Sequence, residues 1–157
     1  TDGLLKKKTA VIFNLGVNDL KKYKDYVNYY NSISTILKSH GCELYCMSVN
    51  PVNRSMLRDA GKADRSEKVL RDFNNYLRKN LNSSFQYIDM YHYLKSTGYG
   101  FSQSYYGLDD TDDGLHYTAK TYKRIFAKCL QSLKYSWYKN TPCRIWRNSL
   151  YLKEEIL

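Results

Sequence analysis

Two short polar clusters carry residue types suited to acyl-transfer chemistry. The first is Gly16-Val17-Asn18-Asp19, directly after an apolar run. An asparagine amide there can donate to an oxygen that gains negative charge, and glycine allows the chain a tight exit. The second is Asp113-Gly114-Leu115-His116. An aspartate three residues before a histidine on a loop can accept Nδ1–H, fixing the imidazole tautomer and leaving Nε2 as a general base. Both clusters also have a plainer reading. The first can be a turn in which Asn18 or Asp19 caps the next helix, the second an Asx turn with a surface histidine. A metal held by Asp109, Asp110, Asp112, Asp113 and His116 is a third reading. It fits neither an EF-hand loop nor a zinc spacing, so no metal and no organic cofactor are expected.

Such clusters need elements to hold them. Residues 9–15 (TAVIFNL) form a nearly continuous apolar run, which predicts a strand buried on both faces. Leu20, Tyr23, Val27, Tyr30, Ile33 and Leu37 recur at helical steps, and Gly41 is placed to stop that helix. ELYCMSV (43–49) predicts a second strand, closed by Asn50-Pro51. After a polar stretch, Asp64 and Glu67 make a capping-box-like start to a helix faced by Val69, Leu70, Phe73, Tyr76 and Leu77. FQYIDM (85–90) predicts a third strand, and residues 91–113 a region that is mostly loop. Thr118 can cap a final helix whose buried face is Tyr122, Ile125, Phe126, Cys129, Leu130 and Leu133. The alternation predicts an α/β fold with a parallel sheet, in which ligands gather beyond the carboxyl ends of the strands. Both polar clusters fall at such places.

In this order, VIFNLGVNDL (11–20) and DDGLHYT (112–118) resemble the third and fifth blocks of the SGNH (GDSL-like) hydrolase superfamily. VNPV (49–52) and YIDMYHYL (87–94) resemble what that family places after its next two strands. The resemblance runs from about Ala10 to about Leu133. It implies a flavodoxin-like three-layer sandwich and serine-dependent hydrolysis of acyl or acetyl esters, often on carbohydrates or lipids. By position it implies that Asn18 and Gly16 belong to the oxyanion hole, that His116 is the general base and that Asp113 orients it. The family's nucleophile block, Gly-Asp-Ser, has no match, because the residues before Ala10 contain no serine. The glycine block that follows it is also unmatched. Ser48, Ser55, Ser102 and Ser104 stand in no matching motif, so no nucleophile is assigned, and its block is expected upstream of Thr1. Residues 1–140 are then the C-terminal portion of the family domain, and 141–157 a basic, amphipathic extension. A flavodoxin-like sheet order leaves the run 9–15 as an open edge, expected to be covered by self-association. The alternative is an inactive remnant of the fold that works by binding or assembly.

Composition bounds these readings. A chain of 157 residues suits one core, and its 43% hydrophobic and 25% charged content is that of a globular protein. No apolar run approaches the roughly 20 residues of a membrane helix, and no signal-peptide pattern opens the chain, which leaves the compartment open. The net charge of +10 is uneven: Asp109, Asp110, Asp112 and Asp113 cluster beside His116, while basic residues dominate after Tyr117. Basic residues at helical spacing read as a solvated face, and without a helix-turn-helix, zinc-finger or RNP signature a nucleic-acid partner is not expected. Cys42 and Cys46 would lie about 13 Å apart along one strand, too far for a disulfide. A bond between Cys129 and Cys143 stays open at this level, with buried thiols the plainer reading. Of the 17 tyrosines, Tyr99 and Tyr105 fall on the candidate-site side and suit a sugar ring, making a glycan ester a candidate substrate; the plainer reading is that tyrosine is the favoured amphipathic residue at the core edge. Ile145, Trp146, Leu150 and Ile156 predict a short amphipathic helix near the end of the chain.

Overall fold

The computed structural model describes residues 9–61, 65–99, 113–133, 145–147 and 150–152. Three short strands, β1 (Ala10–Phe13), β2 (Glu43–Met47) and β3 (Phe85–Ile88), form a parallel sheet in the order β1-β2-β3. Ala10 pairs with Glu43 and Phe13 with Cys46, while Leu44 pairs with Phe85 and Met47 with Ile88. Leu44 to Met47 of the central strand are buried, whereas β1 is only half-buried. The expectation of a first strand buried on both faces is therefore corrected: β2 holds that position. Among the described residues, β1 pairs only with β2.

Side chains alternate across the sheet, and helices cover both faces. Phe13, Cys46, Phe85 and Tyr87 face α1 (Tyr23–Ser39) and α3 (Glu67–Asn80), packing with Val27, Tyr30, Leu70, Phe73 and Leu77. Ala10, Ile12, Tyr45, Met47 and Ile88 face the other way, toward Met90 and Leu94 of α4 (Met90–Thr97) and Ile125 and Cys129 of α5 (Ala119–Ser132). Each fully buried leucine or phenylalanine in these layers contributes about 1.5–3 kcal/mol.

Four local expectations change. The polar stretch after Pro51 contains α2 (Arg54–Asp59), started by Asn53, whose Oδ1 accepts from Met56 N. Helix α3 is capped by Ser66, whose hydroxyl accepts from Val69 N at 3.2 Å, and Asp64 lies outside the described residues. Residues 91–97, expected to be mostly loop, and Met90, expected to end the third strand, are helical because Asp89 caps them and Met90 and Leu94 bury one face. In α5, Thr118 caps as expected, but the fully buried stripe is Thr121, Ile125 and Cys129; Tyr122, Phe126, Leu130 and Leu133 are half-buried.

The expected C-terminal helix is replaced by an antiparallel pair, β4 (Ile145–Arg147) and β5 (Leu150–Leu152), with Ile145 opposite Leu152. Ile-Trp-Arg and Leu-Tyr-Leu are rich in strand-favouring residues, and only Asn148-Ser149, a turn-prone dipeptide, separates them. Cys42 and Cys46 are buried free thiols, and burial pushes Cys46 up to about 12, which makes it unreactive. Cys143 lies outside the described residues.

Candidate active site

The Asp113–His116 loop is built around one buried carboxylate. Asp113 Oδ1 accepts backbone hydrogen bonds from Leu115 N at 2.8 Å and His116 N at 3.0 Å. Its Oδ2 bonds His116 Nδ1 closely. The Asp113 side chain is 7% exposed and that of His116 61% exposed, so the carboxylate is fixed while the imidazole reaches solvent. Among the described residues, nothing hydrogen-bonds to His116 Nε2. Asp113 thus holds the tautomer that leaves Nε2 unprotonated and able to accept a proton.

The loop is pinned from below by the segment that follows β2. Asn53 N donates to Gly114 O at 3.0 Å, and the Tyr117 hydroxyl donates to Pro51 O. Burial pushes the Tyr117 phenol well above its usual range, which keeps it a donor. Gly114 has φ +69°, and a Cβ there would overlap Asn53 O, with Leu57 N and Met56 Cβ at 3.1 Å. Glycine is required at this position on both counts. The segment below is itself anchored: buried Asn74 of α3 accepts from Val49 N at 2.7 Å and donates to Val49 O at 2.9 Å.

Asn18 stands in a turn at the carboxyl end of β1, closed by Asp19 N donating to Gly16 O at 2.9 Å. Gly16 has φ +119°, and a Cβ on it would run into the Phe73 ring. Neither Asn18 nor Asp19 caps the following helix by its side chain. Asp19 instead accepts from the Tyr26 hydroxyl at 3.1 Å. Asn18 is exposed, and its Oδ1 accepts from Arg65 Nη2 at 3.1 Å. A cleft of about 320 Å³ between the segment 20–23 and α3 is lined by Leu20, Lys21, Tyr23, Val69, Asp72 and Phe73, and neither Asn18 nor His116 is part of its lining. Val17 and Leu115, neighbours of Asn18 and His116, pack against the same buried cluster, so both motifs rest on one core at the carboxyl end of the sheet.

The other candidates fall as follows. Tyr99 is half-buried, its ring edge-on to Tyr117 with centroids 5.9 Å apart. Tyr105, Ser102, Ser104, Asp109, Asp110 and Asp112 lie outside the described residues. Ser48 is fully buried and accepts from Tyr91 N, and Ser55 donates to Asn53 Oδ1, so each hydroxyl is engaged in local structure. No group of three or more metal-ligating side chains occurs among the described residues.

A second Asp-x-x-His at Asp89 and His92 reproduces the carboxylate–Nδ1 contact at 2.8 Å. Its side chains are 36% and 71% exposed, and Asp89 is simply the cap of α4. Burial of the aspartate and the close-packed glycine set the 113–116 pair apart.

Sequence reasoning missed Arg65, Asn53 and Asn74. Asn74 left a signal, a polar residue four positions after Leu70 on an apolar helix face. Asn53 left the signature of an N-cap. Arg65 left none, since its partner is 47 residues away in sequence.

A three-strand parallel sheet flanked by helices, with an asparagine turn after β1 and an Asp–His loop ahead of α5, is an α/β architecture consistent with the SGNH fold. The GDSL-like lipase/acylhydrolase family model matches residues 2–129, and the chain belongs to that family. Neither a curated protein nor a solved structure matches the chain significantly. Family membership implies ester hydrolysis, and no helix among the described residues is long and apolar enough to cross a membrane.

Proposed function

We propose that this site serves serine-dependent hydrolysis of acyl or acetyl esters, carbohydrate esters among them. The observation that carries the reading is the buried Asp113 carboxylate on His116 Nδ1 with Nε2 left open. A serine hydroxyl presented to Nε2 gives up its proton there as its oxygen attacks the ester carbonyl. The carbonyl oxygen becomes an oxyanion, met by the Asn18 side-chain N–H and the backbone at Gly16. The imidazolium then protonates the leaving alcohol, and water repeats the sequence to free the acid. Asp113 stays ionised throughout and stabilises the imidazolium. Tyr99 together with Tyr105 supports the sugar of a carbohydrate ester. The three strands fill the places of a flavodoxin-like order that lie after its first two, and copies associate through the outer edge of β1. A monomeric mass by light scattering, with fast amide exchange in residues 10–13, would remove that last element.

The test is hydrolysis of p-nitrophenyl acetate by this chain and by any longer natural form. His116→Ala is expected to abolish it and His92→Ala to leave it unchanged. Hydrolysis indifferent to His116→Ala refutes the assignment. The alternative is a non-catalytic member of the fold that works by binding or assembly. Inactivity of every natural form would select it.

A further inference from the structure

We propose that Arg65 is the positioning residue for Asn18, an inference that rests on the reading of Asn18 as an oxyanion donor. One guanidinium spans two consecutive residues of the turn. Nε donates to Val17 O at 2.7 Å, and Nη2 donates to Asn18 Oδ1 at 3.1 Å. Guanidinium has only donors, so it selects between the two ends of the amide: the oxygen must face Arg65. The nitrogen end is thereby turned away, and among the described residues it meets no partner. That is the arrangement an oxyanion donor needs, with the N–H in place and unspent before substrate arrives.

Nothing else described orders this side chain. The turn closes through Asp19 N and Gly16 O, and no capping bond holds Asn18. An exposed asparagine without a partner samples several rotamers and both amide orientations, most of which aim no N–H at a fixed point. Arg65, by contrast, is rooted. It precedes Ser66, the cap of α3, and that helix buries Leu70, Phe73 and Leu77 in the core. The cationic partner has a second effect. A charge on Oδ1 polarises the amide and strengthens the N–H as a donor. Lysine would supply a point charge without the planar fork, and so could serve one acceptor well but not both.

The experiment has two arms. In the first, 15N relaxation of the Asn18 side-chain amide is measured in this chain, with Arg65→Ala and Arg65→Lys beside it and thermal unfolding to verify folding. An ordered amide is expected in the native protein, with the order parameter falling below about 0.6 in Arg65→Ala and lying between in Arg65→Lys. An order parameter unchanged in Arg65→Ala overturns the proposal. The second arm uses the natural form that hydrolyses p-nitrophenyl acetate. There Arg65→Ala is expected to lower kcat by about 10- to 100-fold with KM within twofold, and Arg65→Lys to recover part of the loss. Added to Asn18→Ala, it should cost nothing further, because its effect passes through that amide. The same fold loss in both backgrounds overturns the proposal. If Asn18→Ala itself leaves kcat unchanged, the oxyanion assignment falls, and the relaxation arm still decides whether Arg65 orders the amide.

Discussion

Replacing Gly114 with alanine probes how the Asp113–His116 loop is held, and Gly61→Ala supplies its control. Both glycines have left-handed backbone, at φ +69° and +66°. Alanine in that region costs about 1 kcal/mol at either site. Around Gly61 an added Cβ meets nothing within 4 Å, so the strain is the whole effect there. At Gly114 the Cβ overlaps Asn53 O and crowds Leu57 N and Met56 Cβ. Asn53 O already accepts from Leu57 N at 3.0 Å, and Asn53 N donates to Gly114 O, so the loop can only withdraw from α2 by giving up that bond. The lost hydrogen bond adds about 1 kcal/mol, and the disturbed packing on Met56 a similar amount. Gly114→Ala should therefore cost about 3 kcal/mol against about 1 for Gly61→Ala, or about 6–12 °C against 2–4 °C in Tm for a chain of this size. Thermal and urea unfolding measure the difference. His116 ring resonances should shift in the first variant and stay in place in the second. Equal losses, or a difference under about 1 kcal/mol, would show that Asn53 does not confine the loop.

Asp113→Asn keeps the acceptor for Leu115 N and His116 N but presents N–H to His116 Nδ1, locking the tautomer that cannot act as base. Turnover should fall by about 10⁴ while the fold persists, and single-turnover kinetics beside circular dichroism would separate the two. Asn74→Leu leaves Val49 N and O unpaired in the core, which should cost about 2–4 kcal/mol. A fall in the urea midpoint at constant m-value checks this, and a loss below about 1 kcal/mol would mean that water replaces the amide. Glu67 links stability to pH. Its carboxyl is held below the usual range, first by the Tyr91 hydroxyl and then by Lys95. Stability from this group is complete above its unfolded value of 4.5 and is lost as pH falls through the lower folded value. Glu67→Gln should flatten the acid limb of a Tm–pH plot, and an unchanged limb would assign that slope to other carboxylates.

The parallel sheet and the three long helices α1, α3 and α5 were legible because their signals are local and repeated. Apolar runs at 9–15, 43–49 and 85–90 each held a strand, and Leu70, Phe73 and Leu77 marked the face of α3. Helices α2 and α4 were not legible, because each is short and announced mainly by its cap, Asn53 or Asp89. Of the site, the Asp113–His116 contact followed from spacing, since three residues suffice to bring carboxylate and Nδ1 together. That spacing occurs twice, and burial of the aspartate with the close-packed Gly114 separates the pair at 113–116 from the pair at 89–92. What spacing could not reveal is support from distant residues. Arg65 on Asn18, Asn74 on Val49 and Asn53 on Gly114 join segments that meet only after the sheet has formed.

Helix α3 touches the site at three levels: Arg65 just ahead of it at Asn18, Phe73 beneath Gly16, and Asn74 at the segment that carries the Asp–His loop. These contacts share one rigid rod, so their relative phase is fixed by residue count. Deleting one residue between Ser66 and Phe73 would turn the downstream half by about 100° and draw it in by about 1.5 Å. Phe73 and Asn74 would then leave their partners while Arg65 kept its own. Length variation in this protein should therefore be barred from 66–74, the stretch that sets the phase of all three contacts.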